Sequence, residues 1–137
     1  MTPEKVTKNF NRCSNWEEKY LYLIELGERF STLPTTEQIH ANQVQGCQSQ
    51  VWLTLDYADG LIHINATSDA AIVRGLLALI IIAYNGQPAK QIDGFDLFAW
   101  FGEIELQEHL TPTRTIGLNA IITRTQALIR KNISPLP

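Results

Sequence analysis

The chain has 137 residues, 45% of them apolar and 18% charged, with a formal net charge of −3. That composition is globular rather than disordered, and two cysteines are too few for a disulfide scaffold. The length suits one domain, residues 1–137, with one core, and the thin basic footprint argues against a nucleic-acid binder.

Thr2 followed by Pro3 reads as an N-cap and first helical position, opening a short helix in TPEKVTKNF. Ser14 with Glu17 three residues on has capping-box spacing, and Tyr20, Leu21 and Ile24 follow at helical intervals. This second helix is expected to end within residues 27–30, before the STLPTTEQ loop. Residues 51–57, VWLTLDY, alternate: Val51, Leu53, Leu55 and Tyr57 share one face, Trp52, Thr54 and Asp56 the other. ADG supplies a turn, and LIHINAT sets Ile62, Ile64 and Ala66 on one side, giving a hairpin with one dry face. Residues 42–45 are expected to add a third, short strand.

TSDAAIVRGLLALIIIAYNG is rich in isoleucine, which suits a strand, but sixteen residues between Ser68 and Asn85 are too many for one. With Ser68 and Asp69 as N-cap and Asn85-Gly86 as stop, it reads as a buried helix. DLFAWF predicts a shorter helix behind Asp96. TPTRTIGLNAIITRTQALIRKN opens on Thr111-Pro112 and places Leu118, Ile121, Ile122, Leu128 and Ile129 on one stripe. Helices, a small antiparallel sheet, then helices make an α+β fold.

The opening MTPEKVTKNF holds no apolar core of signal-peptide length. The longest apolar run, Gly75 to Tyr84, is ten residues, short for a membrane span. A cytoplasmic protein is expected. Residues 31–110 carry only Arg74 and Lys90 against nine acidic side chains, whereas four basic and no acidic ones follow Thr111. Cations near the end of a last helix, where its dipole favours them, account for that basic tail.

The stretch VQGCQSQVW, residues 44–52, seats Cys47 among glutamines, a glycine and a serine. Free cysteine usually behaves as a small buried hydrophobe, so the setting leaves two readings open. One is a buried thiol that happens to precede a strand; the other is a nucleophile on a movable loop. Gly46 gives the backbone freedom, while Gln45, Gln48, Ser49 and Gln50 offer hydrogen bonds without charge. No carboxylate lies within eight residues of Cys47 to suppress its thiolate.

Other cysteine chemistries fit worse. Cys13 and Cys47 are separated by thirty-three residues and form no CxxC dithiol, and His40, His63 and His109 lack the paired spacing of a zinc site. QGCQSQVW resembles the nucleophile segment of papain-like proteases. A strand follows rather than a helix, however, and His109 has no convincing Asn partner. Cys13 reads as a packing residue at a helix junction.

RCSNWEEKYLYLIELG, QGCQSQVW, SDAAIVRGLLAL and HLTPTRTIGLNA together resemble, in order and along essentially the whole chain, a SufE-type cysteine desulfuration protein. The resemblance implies an α+β fold similar to that of the IscU-type cluster scaffolds. It further implies a persulfide acceptor that activates a pyridoxal-phosphate-dependent desulfurase of SufS or CsdA type. Sulfur would be relayed on Cys47 toward iron–sulfur cluster assembly, with a cluster-scaffold complex as a candidate recipient. The pyridoxal phosphate would belong to the partner, and no cofactor or metal is expected in this chain. Arg114 matches a position associated with the cysteine's surroundings, and Asp69 one linked to loop placement and partner contact. A non-transferring adaptor that only regulates a desulfurase is the alternative.

Overall fold

A computed structural model describes residues 1–133; residues 134–137 lie outside that description. Helix α1, Pro3–Arg12, starts as the sequence predicts: Thr2 Oγ1 accepts from Lys5 N at 3.2 Å, and Val6 and Phe10 turn inward. Helix α2, Trp16–Phe30, begins one residue later than its Ser14–Glu17 pattern predicts. Asn15 is the cap, accepting from Glu18 N at 2.9 Å, while Glu18 Oε2 accepts from Ser14 N at 2.7 Å. Asn15 and Glu18 have the same three-residue spacing as Ser14 and Glu17, so the sequence offers two overlapping caps; the second is used, with Glu18 reaching back to the residue before the cap. The buried face is correspondingly Leu23, Leu26 and Gly27, whereas Tyr20 and Leu21 are 38% and 65% exposed.

That face is chosen by a glycine crossing. Helix α3, Ala71–Tyr84, packs directly on α2. A Cβ on Gly27 would lie 2.7 Å from Gly75 N, and one on Gly75 would lie 2.5 Å from Leu23 O. Backbone meets backbone there, so only glycine fits. In the hairpin of β1, Val51–Ala58, and β2, Leu61–Ser68, it is β2 that meets α3, which also touches α1, and twelve of the fourteen residues of α3 are buried. A helix hydrophobic all round is a central one.

The sheet has two antiparallel strands, registered from Val51 opposite Ser68 to Ala58 opposite Leu61. Val51, Leu53, Leu55, Ile62, Ile64 and Ala66 supply its dry face, as their alternation predicts, but Tyr57 is 43% exposed beyond the edge of the core. The expected third strand over 42–45 is reduced to one bridge, Gln43 with Trp52, plus Val44 N donating to Val51 O at 2.8 Å. A 3-10 turn over 40–42 on one side and Gly46 on the other leave no length for a ladder.

Helix α4, Ala89–Asp93, is a short piece that the sequence pattern does not announce. Helix α5, Leu97–Glu103, is capped by Asp96 as expected, and Trp100 Nε1 ties it to α1 by donating to Thr7 Oγ1 at 2.9 Å. Helix α6, Pro112–Ile133, covers β1 and buries Leu118, Ile121, Ile122 and Ile129, with Leu128 partly covered. Arg130 and Lys131 do occupy its last turn, but Arg114 lies at its opposite end. Among the described residues no helix is long and apolar enough to cross a membrane.

Candidate functional site

Cys47 sits where the chain leaves Gln45 and turns into β1. Gly46 takes φ 91°, a conformation that residues with a Cβ rarely adopt, and a Cβ there would also stand 3.2 Å from Ala120 Cβ. The turn drops the Cys47 side chain against α6, where Sγ donates to Gly117 O at 3.5 Å. The thiol is half-buried beside a cavity of about 50 Å³. Val51, Val73, Leu76, Leu118 and Ile121 form the apolar walls; Gln48, Ser49, Thr111, Thr113, Arg114 and Gly117 complete the lining. Burial pushes the Cys47 thiol above its ordinary pKa, because a thiolate loses hydration there.

Three elements build this arrangement. Strand β1 and helix α3 contribute branched apolar side chains that their core packing already fixes. The first turns of α6 contribute the rest, held by Thr111 Oγ1 accepting from Arg114 N at 3.2 Å. Arg114 is half-buried and shares the cavity with Cys47.

The downstream end of the loop is pinned. Asp69 Oδ1 accepts from Gln50 N at 3.1 Å, and Asp69 N donates to Gln50 O at 3.3 Å. Ser68 Oγ also donates to Gln50 O, at 2.7 Å, and accepts from Ala70 N at 3.2 Å. The expected N-cap role of Ser68 and Asp69 is therefore corrected. Ser68 ends β2, α3 has Ala70 at its N-cap with no side-chain bond, and both polar side chains serve Gln50 instead.

The sequence-predicted set is thus only partly gathered. Cys47, Gln48, Ser49 and Arg114 share the cavity, and Gly46 borders it through Cys47. Gln45 does not; it is exposed and lines a separate groove with Val44, Asn119, Ala120 and Arg124. Asp69 acts at the far end of the loop. Sequence reasoning missed Gly117, Val73, Leu76 and Ser68. The apolar members look like any core residue in sequence, and only Gly117, a glycine within a helical stretch, carried a signal.

Cys13 stands apart as the C-cap of α1, with Sγ donating to Asn9 O at 3.4 Å. Burial and then the Glu18 carboxylate push its thiol up, against a smaller lowering by Lys19. Both cysteines are free thiols. Glu105, Glu108 and His109 bring donor atoms within 4.8 Å of one another, all exposed, with the His109 ring stacked on Trp16 at 3.9 Å.

A sequence profile of the family described as "SufE: Fe-S metabolism associated domain" matches residues 4–129. Among solved structures, the chain is similar to the solution structure of a hypothetical protein from Thermus thermophilus. The TM-score is 0.78 at 20% identity, over 98% of this chain and 100% of that one. At that identity the likeness speaks for the α+β fold alone.

Proposed function

The chain belongs to the SufE family, whose domain is associated with Fe–S metabolism and sulfur transfer, and on that premise we propose that Cys47 accepts persulfide sulfur from a cysteine desulfurase. The observation that carries this reading is the seating of Cys47: a thiol beside a glycine in a positive-φ turn, resting against an apolar recess. An acceptor has to wait without being oxidised and then reach into another protein, and a sheltered thiol on a short polar loop meets both demands.

In the proposed step the Cys47 thiol gives up its proton, and its thiolate attacks the terminal sulfur of the partner's persulfide. A new S–S bond forms on Cys47, the old one breaks, and the partner's cysteine leaves as a thiolate. Gly46 is the upstream pivot, and Gln50, held by Ser68 and Asp69, is the downstream anchor. Gln45, Gln48 and Ser49 keep the loop polar without placing a charge on it. Arg114 favours the anionic persulfide once Cys47 carries it, because a cation at the cavity stabilises negative charge. The pyridoxal phosphate resides in the partner, of SufS or CsdA type, and the sulfur proceeds toward iron–sulfur cluster assembly.

A co-substrate that clears the partner's persulfide raises turnover saturably. The test is desulfurase turnover against concentration of wild type, Cys47→Ser and Cys13→Ser, with intact-mass spectrometry for added sulfur. Wild type and Cys13→Ser should stimulate and gain sulfur, whereas Cys47→Ser should bind without doing either. Stimulation by Cys47→Ser would favour the non-transferring adaptor. Labelling that followed Cys13 instead would overturn the assignment of the nucleophile.

A further inference from the structure

Gly117 is a glycine inside a helix that its present neighbours do not require. Glycine in a helix interior costs about 1 kcal/mol relative to alanine, and at Gly27 and Gly75 contacts of 2.5–2.8 Å with backbone explain it. At Gly117 they do not. A Cβ there would lie 3.8 Å from Cys47 Cα and Sγ and 3.9 Å from its Cβ, ordinary van der Waals contact. Its backbone is regular helix, with no positive φ to demand glycine. The resting thiol form would accept alanine, so the bare position answers to something larger than the thiol.

We infer that Gly117 reserves room for the second sulfur of the Cys47 persulfide, so that the loaded loop can return to its resting place. This inference rests on the acceptor reading of Cys47. An S–S bond places the outer sulfur about 2 Å beyond Sγ, and Sγ already borders the cavity of about 50 Å³ lined by Gly117. A void needs only about 10–15 Å³ by this measure to take a water, so one more sulfur atom fits. A methyl on Gly117 would point at Cys47 itself and take up space beside Sγ. The apolar walls of Val73, Leu76 and Ile121 would screen that sulfur from aqueous reductants, while Arg114 at the same cavity would meet its charge. Gly117 is therefore a positioning residue for the loaded state and not for the empty one.

The experiment compares wild type with Gly117→Ala, both on a Cys13→Ser background and loaded chemically, without a desulfurase. With inorganic polysulfide, the Cys47 thiolate attacks a terminal sulfur; one S–S bond forms, another breaks, and the shortened polysulfide leaves as an anion. After desalting, loss of the added sulfur to dithiothreitol is followed by intact mass, and the unloaded thiols are alkylated with iodoacetamide in parallel. Gly117→Ala should lose its sulfur roughly tenfold faster, as overpacking by one methyl implies, while its unloaded Cys47 alkylates at the wild-type rate. Equal loss from the two proteins overturns the inference. So does a matching rise in alkylation, which would mean only that the loop had loosened. Because loading bypasses the partner, a wild type that shields chemical sulfur yet takes none from a desulfurase would sink the acceptor reading and leave the role of Gly117 standing.

Discussion

The resting Cys47 thiol is held in its less reactive form. Burial raises its pKa, and the thiolate is the nucleophile, so in the proposed mechanism waiting and reacting belong to two different loop positions. In a Cys13→Ser background, alkylation of the free protein should therefore rise with pH about a midpoint above that of the same chain in urea. A midpoint at or below the unfolded value would show that the recess does not shelter the sulfur. The sign for stability follows. A fold that raises a thiol's pKa binds its proton more tightly than the unfolded chain does. That stability is complete below the unfolded pKa and is lost as pH climbs through the folded one. Cys47→Ser should accordingly flatten the alkaline decline in urea stability relative to the same background carrying Cys47. At this scale Cys47 was legible in the sequence because polar neighbours marked it, while Gly117 was only half legible. Its spacing showed a helical glycine, but not that Cys47 lay across from it.

At the scale of elements, the α2–α3 crossing sets the geometry that the site inherits, since Val73 and Leu76 line the cavity from the helix that carries Gly75. Gly75→Ala must push Leu23 O away from 2.5 Å. Overpacking of this kind costs about 1–3 kcal/mol, and urea denaturation should place the loss at or above the upper end because backbone cannot rotate aside. An unchanged midpoint would mean that the helices separate freely. The same crossing explains why periodicity points to the wrong face of α2. Tyr20, Leu21 and Ile24 are apolar at helical spacing, but glycine, which scores as nothing in a hydrophobic pattern, decides which side approaches α3. Ser68 and Asp69 show a related ambiguity. Both are good N-cap residues, and their side chains go to Gln50 because the strand pairing of Val51 with Ser68 brings the loop end beside them.

For the whole molecule, the proposed mechanism separates the rigid parts from the adjustable one. The hairpin, α3 and α6 form one continuous apolar cluster, and the loop over 45–50 lies on its rim, anchored at Gln50 and turned at Gly46. A partner can move a loop only by binding one position better than another. Docking of a desulfurase lacking its own active cysteine should therefore change hydrogen exchange at residues 45–50 and leave the amides of α3 as protected as before. No change over 45–50 would remove the two-position loop from the proposed mechanism.

What the sequence determined by itself is whatever repeats locally or chemically. The hairpin alternation, the caps at Thr2, Asp96 and Thr111, the buried length between Ser68 and Asn85, the α+β order and the family resemblance were all readable without coordinates. The tertiary structure decided what depends on residues far apart in the chain. Gly27 lies against Gly75, Cys47 against Gly117, and Gln50 against Asp69. It also decided that Gln45 turns away from the cavity its loop neighbours share. Periodicity reports which side of an element is apolar, because burial is averaged over many neighbours. It does not report which partner arrives there, because a close approach is set by single atoms, and often by a missing one.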